Sequence, residues 1–220
     1  MTYGIFALAI IASYLLGSIP FGVLIAKAHG KDLRSIGSGN IGATNVARAL
    51  GRKWAYVCFA LDVLKGTVPM LATLPLTMSS QDGKAVILWL WLAVGCAAIL
   101  GHIFPIYLKF KGGKGVSTSF GVALGVWPYF TICALFAIIL WLVVVLTGRY
   151  VSLASITASI AFPLVLIVSI LIVPGWEFAD LWPLPIAACV IPLMVIIRHR
   201  ENVKRLFTGT ENKISSRKKK

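Results

Sequence analysis

The stretch from Ser117 to Thr147 reads STSFGVALGVWPYFTICALFAIILWLVVVLT and contains no charged residue. As one helix it would be about 45 Å long, whereas the hydrocarbon core of a bilayer is about 30 Å thick. It is therefore too long for one crossing and short for two. Pro128 lies within it, and proline interrupts a helix because it lacks a backbone N–H. We predict a short helix near Thr118 to Trp127, a break at Pro128 and a second helix after it.

Five further apolar stretches flank this segment, and each approaches the roughly 20 residues that a spanning helix needs. The chain has 220 residues, 59% of them hydrophobic, and a mean hydropathy of +0.90, which is far above that of a soluble domain. The stretches are Gly4 to Ala26, Trp54 to Leu76, Ala85 to Leu108, Val151 to Val173 and Leu181 to Ile197. We predict an all-α polytopic membrane helix bundle that forms a single domain over residues 1–220.

The distribution of charge predicts the topology. The net charge is +14, from 21 Lys and Arg against 7 Asp and Glu, but the basic residues lie in loops between apolar stretches, which argues against nucleic-acid binding. Lys and Arg are enriched in cytoplasmic loops. The loops 27–53 and 109–116 and the basic tail 211–220 share the cytoplasmic side only if Ser117 to Thr147 crosses twice. We therefore predict seven transmembrane helices, a periplasmic N-terminus and a cytoplasmic C-terminus.

The first basic loop contains GSGNIGATNVAR, which precedes the second apolar stretch. Glycines let backbone amides approach an anion closely, and an arginine can contact phosphate with two hydrogen bonds. The alternative is a flexible linker, but linkers seldom combine so many hydroxyl, amide and guanidinium groups. The candidate phosphate-binding residues of this loop are Gly37, Ser38, Gly39, Asn40, Gly42, Thr44, Asn45 and Arg48.

The second loop reads KFKGGKGVST, from Lys109 to Thr118, and places Lys114 between Gly112, Gly113 and Gly115. A helix beginning near Val116 would add its positive N-terminal dipole to the lysine charge. No strand precedes the loop and the GxxxxGK[ST] spacing is absent, so phosphate binding is predicted but nucleotide hydrolysis is not. The alternative is a basic cytoplasmic loop without a ligand.

The third segment, RHRENVKRLFTGTE, directly follows the last apolar stretch. His199, Asn202 and Arg205 are spaced by three, so they would share one face if the last helix continued. A single histidine at a membrane surface is often an ordinary interfacial residue. In the predicted topology, however, all three segments face the same side, which favours a common site for a substrate with more than one phosphate.

Two charged residues fall inside the second apolar stretch. Asp62 and Lys65 are three residues apart and lie on one helical face, where they can pair. Since isolated charges in hydrocarbon are costly, we expect the pair to face the bundle interior and to support the site rather than take part in the reaction.

Four motifs occur in the order of one known family: GSGNIGATNVAR, DVLKG at Asp62 to Gly66, GHIFPIYLKFKGGKGVST and HRENVKRL. Over nearly its whole length the chain resembles the bacterial acyl-phosphate:glycerol-3-phosphate acyltransferases, the PlsY family. The resemblance implies a seven-helix enzyme of the inner membrane whose active site faces the cytoplasm. It also implies that the site is lined by Ser38, Thr44, Asn45, Arg48, Lys114, His199 and Asn202, with loops shaped by Gly39, Gly42, Gly112, Gly113 and Gly115.

The implied reaction is attack by the 1-hydroxyl of glycerol 3-phosphate on the acyl carbonyl of acyl phosphate. It yields lysophosphatidic acid and phosphate, the first committed step of bacterial phospholipid synthesis. Arg48 and Lys114 are the candidates for stabilising negative charge. The base is either His199 or a substrate phosphate, with Ser38 and Asn202 orienting the nucleophile. The predicted catalytic set is thus Ser38, Arg48, Lys114, His199 and Asn202.

The sequence favours neither a metal nor an organic cofactor, because it contains no carboxylate cluster and no CxxC pair. The His-x4-Asp pair of acyl-CoA-dependent acyltransferases is also absent. The expected partners are acyl phosphate, glycerol 3-phosphate and membrane lipid, with a functional link to a soluble enzyme that makes acyl phosphate. The main alternative is a small anion or phosphate transporter, although such sites lie near the midplane between repeated halves.

Overall fold

The structure is a computed structural model that describes residues 2–79 and 82–214, and in this part of the chain all regular structure is helical. Eleven α-helices and one 3₁₀ turn, Ile106–Leu108, are seen among these residues. The helices are α1 Thr2–Ser18, α2 Phe21–Ala28, α3 Ala43–Leu50, α4 Arg52–Ser79, α5 Lys84–Ile103, α6 Val116–Gly125, α7 Tyr129–Gly148, α8 Val151–Ile172, α9 Phe178–Leu181, α10 Pro183–Ile197 and α11 Arg200–Phe207.

Several of these helices are long and apolar enough to cross a membrane. By length and composition there are five such spans in the described residues, or six if the bent pair α10 and α11 counts as one. The spans lie at residues 2–28, 52–78, 84–108, 129–148 and 151–172. The first of them contains both α1 and α2. The predicted all-α, multi-pass bundle is therefore confirmed, whereas seven crossings and the orientation of the termini stay predictions.

The uncharged stretch folds as two helices, as predicted, with α6 ending at Gly125 and α7 beginning at Tyr129. Lys114, just before α6, donates a hydrogen bond to the side-chain oxygen of Asn202. The carbonyl oxygen of Arg149, just after α7, accepts one from the Ile214 backbone amide at 2.8 Å. Both ends of the stretch thus lie near the C-terminal segment, so α6 leaves that end of the bundle and α7 returns to it.

Small residues allow α6 to pack closely on α4. Gly121 and Gly125 are four residues apart, the spacing of a GxxxG helix contact. A Cβ atom at Gly121 would overlap the Val63 carbonyl oxygen, and one at Gly125 would overlap the Met70 side chain. Thr67 adds a hydrogen bond from its hydroxyl to the Gly121 carbonyl at 2.8 Å. This contact fixes α6, and hence the loop before it, against α4.

Close contacts also join α1 to α5. A Cβ atom at Gly17 would overlap the Ala98 carbonyl oxygen, and one at Gly101 would overlap that of Tyr14. The Tyr14 hydroxyl donates a hydrogen bond to the Phe104 carbonyl at 2.8 Å, directly after α5 ends. The end of α5 from which the second basic loop departs is therefore anchored to α1.

The predicted ion pair inside the second apolar stretch is confirmed. Lys65 Nζ lies 2.6 Å from Asp62 Oδ1, and both side chains are buried. The lysine also donates a hydrogen bond to the Ile19 carbonyl at 3.0 Å, in the break between α1 and α2. The two charges thus face the bundle interior, where they neutralise each other.

Candidate active site

Asn45 shapes the first basic loop from the first turn of α3. Its side chain is buried, and Oδ1 accepts a hydrogen bond from the Ser38 backbone amide at 3.0 Å. Nδ2 donates to the carbonyl oxygens of Leu33 and Ile36, each at 2.9 Å. The side-chain amide of Asn45 therefore binds loop backbone through both its oxygen and its nitrogen, and it holds residues 33–38 against α3.

The remaining predicted residues of this loop lie around its open side. Asn40 Oδ1 accepts the Gly42 amide at 2.9 Å, a local turn that leads into α3. Gly37 has a positive φ of 59°, which favours glycine, and a Cβ there would contact Arg48 Cδ at 3.0 Å. Ser38, Thr44 and Arg48 are exposed, so they can be reached from the solvent.

The second basic loop is pinned to the end of α5. The Gly112 amide donates to the Ile103 carbonyl and the Gly113 amide to the His102 carbonyl, each at 3.1 Å. A Cβ at Gly112 would overlap these carbonyl oxygens and Pro105. The loop thus lies against backbone so closely that only glycine fits at Gly112.

Two arginines join this loop to the other segments. Arg34, from the first loop, donates a hydrogen bond to the Lys111 carbonyl oxygen. Arg198, from the third segment, donates to the Gly113 carbonyl oxygen at 3.2 Å. All three basic segments are therefore in direct contact at one end of the bundle.

Helix α6 presents its N-terminus to this junction. Gly115 is the N-cap, with a positive φ of 85° and no side-chain cap. Within the described ranges, the buried hydroxyls of Thr118 and Ser119 have no hydrogen-bond partner. Free amides and hydroxyls at a helix N-terminus, next to Lys114, are suited to an anion.

The third segment does not continue α10. The chain bends by 60° between α10 and α11, so the expectation of one continuous helical face is corrected. His199 lies at this bend and is buried, with Nδ1 2.8 Å from the Val195 carbonyl oxygen. Because a carbonyl oxygen only accepts, Nδ1 carries the hydrogen and Nε2 is left as an acceptor.

A hydrogen-bond network links the second loop, the third segment and α8. Asn202 Oδ1 accepts from Lys114 Nζ, and Asn202 Nδ2 donates to Glu211 Oε1 at 2.7 Å. The same carboxylate accepts from Ser152 Oγ at 2.8 Å and from Arg205 Nε at 2.7 Å. Glu211 is the one carboxylate in this network, and it orients both an amide and a guanidinium group.

The cations of the site exceed the anions that balance them. Burial lowers the pKa of Lys114 to about 8. Glu211 opposes this shift, but the positive charges of Arg205, Arg48 and Arg198 add to it. Arg198 binds the carbonyl oxygen directly before Lys114, and Arg205 is linked to Lys114 through Glu211 and Asn202, so these cations and Arg48 form a cluster that attracts anions.

The titration of His199 and Glu211 follows from the same surroundings. Burial and then the charge of Lys114 lower the pKa of His199 to about 4, so the imidazole is neutral at pH 7. Burial alone would raise the pKa of Glu211, but hydrogen bonds from Asn202, Arg205 and Ser152 outweigh it and hold that pKa below its usual value. The site therefore contains a neutral imidazole and an ionised carboxylate.

The structure brings several predicted site residues together and adds others. Arg48, Lys114, His199 and Asn202 interact directly or through their charges, while Asn45 acts through the shape of its loop. The residues that sequence reasoning missed as parts of the site are Ser152, Arg198, Arg205 and Glu211. The predicted double crossing did contain a signal, because it returns the chain at Thr147 to the side of the basic loops, just before α8 begins. Residues 215–220 of the predicted basic tail lie outside the described residues.

Comparison with known proteins assigns the chain to a family. A family model described as glycerol-3-phosphate acyltransferase matches residues 7–209. The chain belongs to the glycerol-3-phosphate acyltransferase family. A glycerol-3-phosphate acyltransferase of Aquifex aeolicus is 46% identical over 204 residues, which cover 93% of this chain and 96% of the relative. One of Mesorhizobium japonicum is 41% identical over 219 residues, which cover 99% and 100%.

Solved structures of this acyltransferase family have the same fold. The crystal structure of PlsY (YgiH), an integral membrane glycerol 3-phosphate acyltransferase, in its glycerol 3-phosphate form superposes with a TM-score of 0.81 at 44% identity and covers 96% of each chain. Its lysophosphatidic acid form gives 0.79 at 43% identity, over 96% of this chain and 95% of the other. The family resemblance found in the sequence is thereby confirmed, and the chain is a multi-pass membrane protein.

The Glu211 network generates a stability prediction. Glu211→Gln removes the charge that faces Arg205 and Lys114, so we expect it to lower the free energy of unfolding by about 2 kcal/mol at pH 7. The stabilisation by the ionised carboxylate is present above the unfolded-state pKa of glutamate and is lost as the pH falls, so the difference should shrink below about pH 4. Thermal unfolding in detergent measures both effects.

The control for this prediction is Glu201→Gln. Glu201 is 69% exposed and lies 3.6 Å from Arg200, an exposed pair that contributes little. Equal melting temperatures for the two variants would contradict a stabilising role of Glu211.

Proposed function

We propose that the protein transfers the acyl group of an acyl phosphate to the 1-hydroxyl of glycerol 3-phosphate, giving lysophosphatidic acid and phosphate. The observation that carries this proposal is the cluster of Lys114, Arg48, Arg198 and Arg205 at the glycine loops of a chain in the acyltransferase family. Both substrates carry a phosphate, so a site with several cations and one carboxylate suits them. The relative PlsY was solved in glycerol 3-phosphate and lysophosphatidic acid forms, which supports the same acceptor and product here.

Acyl phosphate, rather than acyl-CoA, is the proposed donor. Acyl phosphate is already activated, so the protein has only to position two anions and stabilise charge on the carbonyl oxygen and the leaving phosphate. Lys114 and the N-terminus of α6 are suited to one phosphate, and the exposed Arg48 to the other. The glycines Gly37, Gly39, Gly42, Gly112, Gly113 and Gly115, with Asn40 and Thr44, complete the phosphate-binding loops.

The chemical step balances without a cofactor. The oxygen of the 1-hydroxyl forms a bond to the acyl carbon, the bond from that carbon to the phosphate oxygen breaks, and inorganic phosphate leaves. The hydroxyl proton passes to His199 Nε2, the acceptor position of the imidazole. Ser38 orients the hydroxyl. Asn202 orients Lys114, because its side-chain oxygen accepts a hydrogen bond from the ammonium group.

Burial is the larger cause of the lowered pKa of His199, which is about 4. Part of this lowering comes from the charge of Lys114. Two substrate phosphates would offset that second contribution and so raise the pKa of His199. The imidazole is thus neutral before binding and becomes a better base once both anions are present.

The placement of the site in the cell is part of the proposal. The basic segments support seven crossings of the bacterial inner membrane, a periplasmic N-terminus and a site on the cytoplasmic face. Glycerol 3-phosphate would then enter from the cytoplasm, and the acyl chain would lie between apolar helices. A soluble enzyme that makes acyl phosphate is the expected supplier of the donor.

The function is tested with purified protein in lipid, palmitoyl phosphate and glycerol 3-phosphate. We expect phosphate release and lysophosphatidic acid formation that require both substrates, and little product with palmitoyl-CoA. Lys114→Ala, which removes a cation of the site, is the control for adventitious hydrolysis. Uptake of phosphate into sealed vesicles without acyl transfer would instead support a transporter.

The role of His199 is tested with His199→Gln, whose side-chain oxygen can accept a hydrogen bond but not a proton at neutral pH. If His199 is the base, kcat should fall by about 10²- to 10⁴-fold. The KM for glycerol 3-phosphate should change much less, because Lys114 and Arg48 are intact. Unchanged turnover at saturating substrates would assign the proton to a substrate phosphate.

The protonation of Lys114 predicts a pH dependence. A lysine with a pKa of about 8 is charged below that pH and neutral above it, so kcat/KM should fall as the pH rises through about 8. Lys114→Arg keeps the charge at all these pH values, and its profile should lose this basic limb even if its maximum is lower. An identical basic limb in both proteins would show that another group titrates there.

A further inference from the structure

Gly113, directly before Lys114, is held through its amide, its carbonyl oxygen and its Cα. The Gly113 amide donates to the His102 carbonyl at 3.1 Å, and the Gly113 carbonyl accepts from Arg198 at 3.2 Å. The Cα of Gly113 faces the His102 ring so closely that a Cβ there would overlap Nε2 and lie 3.0 and 3.1 Å from Cδ2 and Cε1. The ring edge of His102 therefore sets how close this peptide can come to α5.

The His102 ring is itself placed by charges within the bundle. Nδ1 lies 3.6 Å from Asp62 Oδ1, the same oxygen that Lys65 approaches at 2.6 Å. All three side chains are at most 5% exposed. Through Lys65 and the Ile19 carbonyl, this cluster spans α4, α5 and the break between α1 and α2. Ionisable groups at such depth are costly, and they are retained mostly where they support a function.

A glycine loop has no side chains with which to define its own position. Gly112, Gly113 and Gly115 surround Lys114, and each has backbone or side-chain atoms packed where a Cβ would lie. Gly112 rests on main-chain carbonyls and Gly113 on the His102 ring. Of the two residues that flank Lys114, Gly115 thus packs against the apolar Ile103 side chain and Gly113 against the polar ring of His102, so both buried side chains limit where the ammonium group lies.

We propose that His102 is a positioning residue of this enzyme, whose ring packs against the Gly113 peptide, fixes it and so places Lys114 on the substrate phosphate. The proposal rests on the proposed function, in which Lys114 binds phosphate. His102 does not touch substrate and takes no proton in the reaction. Displacing a binding group by about 1 Å can lower activity up to about 10²-fold. A shift of the Gly113 peptide into the space of the imidazole ring is large enough to displace Lys114 by such a distance.

The test is a double-mutant cycle of His102→Asn and Gly113→Ala in the full-length protein. Asparagine keeps an amide opposite Asp62 but lacks the ring edge that faces Gly113. Gly113→Ala adds a methyl that displaces the loop. We expect each single variant to lower kcat/KM for glycerol 3-phosphate by about tenfold or more. The double variant should be more active than Gly113→Ala alone, because the methyl enters the space that the ring edge leaves.

Gly112→Ala is the matched control. Its methyl would meet the His102 and Ile103 carbonyl oxygens and Pro105, not the imidazole edge. His102→Asn should therefore not rescue Gly112→Ala. Additive losses in the Gly113 cycle, or equal rescue of both alanine variants, would overturn the proposal, since general destabilisation gives additive effects at either glycine.

Two further measurements keep the outcomes distinct. Binding of inorganic phosphate to the same variants, by calorimetry in detergent, reports the Lys114 loop without turnover and should show the same rescue. If wild-type protein binds phosphate but does not turn over acyl phosphate with glycerol 3-phosphate, the proposed function fails while the cycle can still be read. His102→Ala replaces His102→Asn if the latter does not fold, as judged by its melting temperature.

Discussion

Repulsion among clustered cations is the constraint on which the site depends. Arg48, Arg198 and Arg205 repel Lys114, with Glu211 as a partial counterion, and they add to the lowering of its pKa that burial causes. Side chains that repel one another separate unless the backbone that carries them is fixed. The fold must therefore hold these backbone segments rigidly, because the repulsion between their side chains would otherwise separate them.

That rigidity comes from close helix contacts and from buried polar groups aimed at loop backbone. Glycines bring α6 onto α4 and α1 onto α5, which fixes both ends of the second loop. Asn45, Arg34 and Arg198 then bind carbonyl oxygens of the loops. In a bilayer there is little hydrophobic force between helices, so packing and hydrogen bonds of this kind carry most of their association. The loops are consequently held by the same interactions that hold the bundle together.

The sequence predicted the features that depend on composition and local pattern. The apolar stretches marked the long helices, Pro128 marked the break between α6 and α7, and glycine density marked two loops that contact each other at one end of the bundle. What it did not predict depends on contacts between distant residues. Ser152 and Glu211 are separated by most of α8 to α11, and nothing near either residue indicates their 2.8 Å hydrogen bond. Similarly, Asn45 resembles a ligand residue in sequence, but its amide binds the loop that carries it.

The excess of cations also bears on how water is kept from competing with the acceptor. In the proposed mechanism, burial and the charge of Lys114 both lower the pKa of His199, and acyl phosphate alone offsets only part of that charge, so the imidazole stays a poor base for a water molecule. Glycerol 3-phosphate brings the second anion together with the hydroxyl that is to react, so its binding raises the basicity of His199 at the moment the correct nucleophile is present. Under the proposed mechanism, the excess of positive charge in the site therefore both attracts the substrates and favours acyl transfer over hydrolysis.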